Sequence, residues 1–304
     1  MSSLTVGSHT FNWGERTYVM GILNLTPDSF SGDGLLPSPP PPSPASGRGA
    51  GSEGLDKARR FLASGADILD IGGESTRPGS QPVDADEELQ RVLPAIRAIH
   101  EEFPGTLISI DTYKAAVAEQ ALKAGASIVN DVWGLRADPH LAEVVARQDA
   151  PVVLMHNRSK PANVEVRERL GSAYLGADYE DLLKDVKREL LESVTIARAA
   201  GIPDERIILD PGLGFGKTVA QNLELIDRLD EIRALGFPVL LGPSRKSFIG
   251  YTLDLPPDQR LEGTAVAVAV GIVRGADIVR VHDVESMVRV ARMTDAIVRR
   301  KKDD

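Results

Sequence analysis

Residues 65–71 read Gly65-Ala66-Asp67-Ile68-Leu69-Asp70-Ile71, and this segment gives the clearest indication of the architecture. A glycine that suits the C-terminal cap of a helix is followed at once by a short apolar run that is typical of a strand. The pattern returns as Gly125-Ala126-Ser127-Ile128 and as Gly275-Ala276-Asp277-Ile278. It therefore indicates a chain in which helices and buried strands alternate.

Around this segment, eight short apolar runs predict eight strands, with helix-period segments between them. The predicted strands are Tyr18–Leu25, Ile68–Ile71, Leu107–Asp111, Ile128–Val132, Val152–Met155, Ile207–Asp210, Val239–Gly242 and Ile278–Val281. The helical segments include Glu87–Glu101, Lys114–Ala124, Tyr179–Ala200 and Leu223–Ala234. Eight strand–helix units are the number that closes a parallel barrel. We therefore predict an α/β fold of the (β/α)8 TIM-barrel type.

The predicted barrel takes up the whole chain as a single domain, residues 1–304. Such a barrel usually needs about 250 residues, which leaves room here for insertions. One insertion is a Pro/Gly/Ser-rich segment at about residues 32–54, which contains Pro39-Pro40-Pro41-Pro42. Since a strand of the same barrel lies on each side of it, we predict a flexible loop and not a linker between domains.

The residues before the first barrel strand predict a β-hairpin. Leu4–Phe11 and Tyr18–Met20 flank a turn at Asn12-Trp13-Gly14-Glu15, and the hairpin is expected to close the bottom of the barrel. After the fifth strand, the polar residues 157–176 fit no single element.

Composition excludes several classes of function. The net charge of −9 disfavours a nucleic acid as partner, because duplex-binding proteins present a basic face. The absence of cysteine excludes disulfides, thiolate metal sites and a cysteine nucleophile. No run of 18 apolar residues predicts a membrane span, and Met1-Ser2-Ser3-Leu4 lacks the features of a secretory signal. A cytoplasmic protein without membrane contact is the expectation.

Polar residues follow every predicted strand, at the barrel end where such folds carry their chemistry. Asp111, Asn130 and Asp210 are acceptor-rich and suit a flat ligand that presents adjacent N–H donors. A second group is cationic and suits an anion: Arg77, Arg245, Lys246, Arg280 and His282. The sequence thus predicts a site with a heterocycle at its floor and an anion at its rim.

Two further patterns are dismissed. Residues 211–218 resemble a phosphate-binding loop, but Pro211 stands where that loop requires glycine. No histidine–carboxylate spacing indicates zinc. His156 is interpreted as a histidine whose hydrogen bonds are satisfied at a strand end.

Several motifs resemble those of the dihydropteroate synthases, which are pterin-binding TIM barrels. The two longest are residues 20–31, Met20-Gly21-Ile22-Leu23-Asn24-Leu25-Thr26-Pro27-Asp28-Ser29-Phe30-Ser31, and residues 70–79, Asp70-Ile71-Gly72-Gly73-Glu74-Ser75-Thr76-Arg77-Pro78-Gly79. Residues 210–217, 242–248 and 280–284 also resemble family motifs, in family order. The resemblance extends from about Leu4 to Arg299.

The resemblance implies a transferase of folate biosynthesis that joins (7,8-dihydropterin-6-yl)methyl diphosphate to 4-aminobenzoate. It implies pterin contacts from Asp111, Asn130, Asp210 and Lys246. It implies aminobenzoate contacts from Thr76, Arg77, Pro78, Phe215 and Ser244. Diphosphate would be bound by Asn24, Arg77, Arg280 and His282, with Asn24 also binding Mg2+. The implied catalytic residues are Lys246, Asp111, Asp210, Arg280, His282 and Asp28.

The chemistry of these substrates fits an SN1-like reaction. A dihydropterin delocalises positive charge from its exocyclic methylene, so diphosphate can leave before the amine attacks. The first loop departs from the family pattern, because it reads Ser31-Gly32-Asp33-Gly34, which displaces the aspartate by one position. Either Asp28 or Asp33 could play its part. The resemblance also implies a homodimer formed by the C-terminal helices.

Two other functions stay open. A methyltetrahydrofolate corrinoid methyltransferase would share the acceptors, but it would not need Arg77 with Pro78 or Arg280 with His282. A non-catalytic paralogue would bind pterin only. The displaced loop aspartate leaves that alternative open, whereas Asn24, Arg77 and Arg280 argue against it.

Overall fold

A computed structural model describes residues 3–26, 50–76, 78–160 and 163–300, with only the backbone of residues 50–52. The strands are β1 Leu4–Val6, β2 His9–Phe11, β3 Tyr18–Asn24, β4 Ile68–Gly72, β5 Leu107–Asp111, β6 Ile128–Asp131, β7 Val152–Met155, β8 Val164–Arg167, β9 Gly171–Tyr174, β10 Ile207–Asp210, β11 Leu240–Leu241 and β12 Ile278–Val281. The helices are α1 Ala50–Ala63, α2 Ala85–Glu102, α3 Ala115–Lys123, α4 Leu141–Arg147, α5 Leu182–Ala199, α6 Val219–Asp227, α7 Leu229–Arg233, α8 Ser247–Leu253, α9 Leu261–Val273 and α10 Val284–Val298.

Eight parallel strands form the barrel, in the order β10-β7-β6-β5-β4-β3-β12-β11. A parallel bridge between Leu209 and Val239 joins β10 to β11, and the Leu209 N–H donates to the Pro238 carbonyl at 2.9 Å. The predicted (β/α)8 barrel is therefore confirmed. Within the described residues, no helix has the length and apolarity needed to cross a membrane.

Side chains alternate along each strand between two cores. The outward residues, such as Leu69, Ile71 and Ile108, pack against the helices. The inward residues near the start of each strand, such as Ile68, Leu107 and Ile128, fill the lower part of the barrel. Further along the same strands the inward positions become polar. For example, Asp70 lies two residues after Ile68 on β4 and therefore on the same face. The lower barrel is thus a packed core and the upper barrel holds the polar groups.

The N-terminal hairpin closes the bottom of the barrel, but its turn lies elsewhere than predicted. β1 pairs with β2, and Val6 stands opposite His9, so the turn is Gly7-Ser8 and not Asn12–Glu15. Gly7 takes a φ of 58°, which suits the first residue of a tight hairpin turn and favours glycine. Residues 12–15 instead connect the hairpin to β3. Leu4 and Phe11 belong to the lower barrel core.

Two further expectations need correction, and one undecided segment can now be assigned. Helix α1 begins at Ala50, so residues 50–54 of the predicted loop are helical, and residues 32–49 lie outside the described residues. The predicted helix Leu223–Ala234 is two helices, and the first begins at Val219 because Thr218 and Gln221 form a capping box. The undecided residues 157–176 contain an antiparallel hairpin, β8–β9.

Candidate active site

Three predicted acceptors lie at the carboxyl ends of barrel strands and face inward. Asp111 ends β5, Asn130 belongs to β6 and Asp210 ends β10, and all three are buried. Asp111 is the register partner of Asn130 on the neighbouring strand. Together they form a buried acceptor floor at this end of the barrel.

A fourth acceptor, Asp70 on β4, belongs to the same floor and was missing from the prediction. Arg280 donates through Nε to Asp70 Oδ2 at 2.6 Å and through Nη2 to Asp111 Oδ2 at 2.5 Å. The Asn130 amide donates to Asp70 at 3.2 Å. The signal in the sequence was a charge in the middle of an apolar strand, on the same face as Ile68. A buried carboxylate there requires a partner, and Arg280 is that partner.

Burial dominates the electrostatics of the floor. It raises the pKa of Asp111 to about 7, although the charge of Arg280 opposes this shift. It also raises the pKa of Asp210, against the opposing charge of Lys246 and a hydrogen bond from the Gly212 N–H. That N–H donates to Asp210 Oδ1 at 2.7 Å.

Lys246 connects the floor to a glycine-rich loop. Its ammonium donates to the Leu213 carbonyl and lies 4.6 Å from the centroid of the Phe215 ring. Burial lowers the pKa of Lys246 to about 8, while the charge of Asp210 raises it. The loop itself turns at Gly212, where φ is 70° and a Cβ atom would stand 1.9 Å from the His156 carbonyl oxygen. Only glycine fits there.

A cavity of about 220 Å³ opens at this end of the barrel and is lined by the described residues of the cationic group, whereas Asp111, Asn130 and Asp210 are not among its lining residues. Arg280 lines the cavity while it binds Asp111, and Lys246 lines it from the side of Asp210. The other predicted residues that line it are Asn24, Thr76, Pro78, Phe215, Ser244 and His282. Ser244 accepts a hydrogen bond from the His282 N–H at 3.1 Å, and its Oγ lies 3.0 Å from Nδ1 of the same histidine.

Three predicted residues have a different outcome. Arg245 lines the cavity, but its guanidinium forms an ion pair with Asp283 at 2.6 Å, so part of its charge is neutralised. Asp28 and Arg77 lie outside the described residues, and so does Asp33.

A buried network behind the glycine-rich loop was missed by the sequence reasoning. Lys217 is 3% exposed, and its ammonium contacts the Gly212 carbonyl at 2.8 Å, the Phe215 carbonyl at 3.1 Å and His156 Nδ1 at 3.0 Å. On the other side, His156 Nε2 lies 3.0 Å from Glu189 of α5. Burial lowers the pKa of Lys217 to about 7 and that of His156 to about 4. The network fixes the loop that carries Phe215.

Asn24, which the family motif assigns to Mg2+, lines the cavity. Among the described residues, no three His, Cys, Asp or Glu side chains are grouped to hold a metal ion. Asn24 offers one amide oxygen at the cavity wall. Mg2+ commonly takes few protein ligands and completes its shell with phosphate oxygens and water. The residues therefore fit a magnesium ion that is held mainly by a phosphorylated substrate.

The fold and the cavity define the class of the protein as a (β/α)8-barrel enzyme whose site joins buried acceptors to a cationic rim. A family model described as "Pterin binding enzyme" matches residues 20–282. The chain is 47% identical to the dihydropteroate synthase of Clostridium beijerinckii over 98% of this chain and 100% of that protein. It is 49% identical to the Bacillus subtilis enzyme of that name over 93% and 90% of the two chains.

Solved structures give the same result. The dihydropteroate synthase of Yersinia pestis, in complex with a sulfonamide drug, has a TM-score of 0.84 at 37% identity over 97% and 99% of the two chains. That of Xanthomonas albilineans, with 4-aminobenzoic acid, has a TM-score of 0.83 at 36% identity over 97% of each chain. The chain belongs to the dihydropteroate synthase family of transferases.

Proposed function

We propose that this protein condenses (7,8-dihydropterin-6-yl)methyl diphosphate with 4-aminobenzoate, giving 7,8-dihydropteroate and diphosphate in folate biosynthesis. The observation that carries the proposal is the position of Arg280, which binds two floor carboxylates and also lines the cavity above them. Arg280 therefore links the buried acceptors, which would bind a ring by its N–H donors, to the cavity, whose cationic lining would bind a leaving anion.

The floor binds the pterin in this proposal. Asp111, Asn130 and Asp210 accept from the N–H groups of the ring, and Lys246 contacts the ring from the side. Because Asp111 gives one oxygen to Arg280, its second oxygen is the one available to a ligand. A carboxylate with two acceptor oxygens can serve both partners at once.

The reaction begins when the bond between the exocyclic methylene carbon and the diphosphate oxygen breaks, and the bonding electrons leave with the diphosphate. Asp111 and Asp210 stabilise the pterin cation, while Arg280 and His282 bind the departing anion. The amine lone pair then forms the new C–N bond, and the nitrogen loses its proton to solvent. A neutral arylamine needs no strong base for this step.

Asn24 would hold Mg2+ together with the diphosphate, and the ion would supply further neutralisation of the charge on the leaving anion. Thr76, Pro78, Phe215 and Ser244 surround the position assigned to 4-aminobenzoate, and Arg77 is assigned there and to the diphosphate by the family motif alone. Asp28 is likewise assigned its catalytic role by the family motif alone.

A homodimer is also proposed, since α9 and α10 carry apolar side chains on their outer faces. Val266 and Met293 are 64% and 63% exposed, and Val273 and Ile297 are also exposed. These two helices pack against each other, so their exposed residues can form one continuous patch. Analytical ultracentrifugation tests the dimer, and Val266→Lys is expected to shift it to a monomer. We place the protein in the cytoplasm, as the sequence predicts.

Incubation with the pterin diphosphate, 4-aminobenzoate and Mg2+ tests the proposed reaction. Dihydropteroate and diphosphate should appear in equal amounts. Pterin binding without product would instead support the non-catalytic paralogue. Methyl transfer from methyltetrahydrofolate to a corrinoid would support the methyltransferase, which has no use for the cationic rim around Arg280 and His282.

A further inference from the structure

The β8–β9 hairpin lies over one side of the cavity mouth. Leu170, Gly171, Ser172 and Tyr174 all line the cavity that Ser244 and Lys246 line from the barrel side. Cavity-lining residues of this kind normally come from the loops after the barrel strands, and this hairpin is such a loop. It lies close enough to shape whatever occupies the rim.

Hydrogen bonds fix the hairpin to the barrel at its turn. Arg260 is buried and donates to the Leu170 carbonyl at 2.7 Å and to the Arg245 carbonyl at 2.9 Å. It thus ties the hairpin to the loop between Ser244 and Lys246. The Tyr251 hydroxyl of α8 donates to the Gly171 carbonyl at 3.3 Å. Buried charged donors on backbone carbonyls make a rigid attachment.

The far strand of the hairpin contacts two further residues of the cavity. The Tyr174 ring lies 6.0 Å from the Phe215 ring, with 31° between their planes. The Tyr174 hydroxyl donates to the Thr76 carbonyl at 3.4 Å. Tyr174 therefore contacts two residues assigned to the aminobenzoate, and Leu170 of the hairpin turn lines the same cavity.

We propose that the β8–β9 hairpin is a fixed wall of the arylamine subsite, and that it limits the size of the group para to the reacting amine. This inference rests on the proposed function. Tyr174 and Phe215 line the cavity at the position assigned to the aryl ring. Leu170 and Ser172 line the same cavity, so a para substituent larger than a carboxylate would meet their side chains.

The test compares two competitive inhibitors, sulfanilamide and its N1-phenyl derivative, in assays with 4-aminobenzoate and the pterin diphosphate. The measured quantity is the ratio of the inhibition constant of the phenyl derivative to that of sulfanilamide. Leu170→Ala opens the wall and should lower this ratio by about fivefold, whereas Ser172→Leu narrows it and should raise the ratio about tenfold, roughly 1.4 kcal/mol. The Michaelis constant for the pterin diphosphate should stay within about twofold in both variants.

The matched control is Val166→Ala, on the same hairpin but 74% exposed, and its ratio should equal that of the wild type. A misfolded hairpin would raise both inhibition constants by the same factor, so the individual constants identify it. A ratio that stays unchanged while the inhibition constant of sulfanilamide stays near that of the wild type, or ratios that move in the same direction in both cavity variants, overturn the inference while the wild type still makes dihydropteroate. If the wild type makes no product, the proposed function fails and the inference fails with it.

Discussion

A β-hairpin lies at each end of the barrel, and different interactions hold the two in place. The lower hairpin, β1–β2, inserts apolar side chains, and Phe11 packs against Tyr18 at 4.7 Å and Trp13 at 5.2 Å between ring centroids. The upper hairpin, β8–β9, is fixed by Arg260 and Tyr251 through hydrogen bonds to its carbonyls. The lower hairpin fills the bottom of the barrel with apolar side chains, whereas the upper hairpin lines an open cavity.

The difference extends into the barrel. At the lower end, inward residues such as Ile68 and Met20 gain stability by packing. At the upper end, Arg280 forms buried ion pairs with Asp70 and Asp111. Burying these charges costs desolvation free energy, and removing one partner leaves the others buried without a counter-charge. We therefore expect substitutions at the upper end to change activity and substitutions at the lower end to change stability.

Lys246→Ala, at the upper end of the barrel, should cause the largest loss of activity. Loss of the ammonium beside Asp210 and Phe215 is expected to lower kcat/KM by about a thousandfold, roughly 4 kcal/mol of barrier, because a charge that orients the pterin is lost. The midpoint of thermal unfolding should move by less than about 3 °C. Steady-state kinetics and calorimetry measure the two effects, with the exposed Lys184→Ala as control. Near-normal catalytic efficiency in Lys246→Ala would show that this residue was assigned wrongly.

Phe11→Ala should give the opposite result at the lower end. Removal of a buried ring leaves a cavity between the hairpin and the barrel, and the free energy of unfolding should fall by about 3 kcal/mol. The Michaelis constants for both substrates should remain within about twofold. Urea unfolding with parallel kinetics measures this, and Thr10→Ala, on the exposed side of the hairpin, should cost less than about 1 kcal/mol. A large change in either Michaelis constant would mean that the two ends are coupled.

Lys217→Met separates arylamine binding from pterin binding within the upper end of the barrel. It leaves the Gly212 and Phe215 carbonyls without their buried donor, so the loop that carries Phe215 should shift. The Michaelis constant for the arylamine substrate is expected to rise about tenfold, roughly 1.4 kcal/mol, and the constant for the pterin diphosphate should change far less. Equal changes in the two constants would contradict a positioning role for Lys217.

The pH dependence should show the smallest effect. Burial raises the pKa of Asp111 to about 7 and lowers that of Lys246 to about 8, so kcat/KM should rise through pH 7 and fall through pH 8, by about twofold at each value. Since Asp111 holds its proton more tightly when folded, its contribution to stability is present at low pH and is lost between about pH 4 and 7. Asp111→Asn should remove the acidic limb, and an unchanged limb in that variant would assign it to another group.

The sequence predicted the barrel strands well, and four of them to the residue. Runs such as Val152–Met155 and Ile207–Asp210 are apolar because helices and barrel interior cover both faces, and the next residues are polar because the site begins there. Asp111, Asn130 and Asp210 could be predicted from that transition alone. Arg280 could be assigned to the rim, but not to Asp70, since that ion pair joins residues 210 positions apart.

The missed features depend on tertiary contacts. Lys217, His156 and Glu189 become one network only after α5 packs beside the barrel, and no local pattern connects them. Strand β8 does alternate, as Val164-Glu165-Val166-Arg167, but it is only 4 residues long and Val166 is exposed, so the signal was too short to separate a strand from the polar residues around it. The Gly7-Ser8 turn has a local signal, the glycine itself, but a prediction that treats Leu4–Phe11 as one continuous segment does not use it.

The turn at Gly212 limits how this enzyme can change over evolutionary time. Because the first carbon of any side chain there would overlap the His156 carbonyl, every single-codon replacement at this position displaces the backbone beneath Asp210. Variation under selection, for example by an inhibitor that imitates the arylamine, has to accumulate at tolerant sites such as Ser172 and not beneath the ring. Drug design that relies on the pterin floor would thus address the part of the molecule with the fewest escape routes.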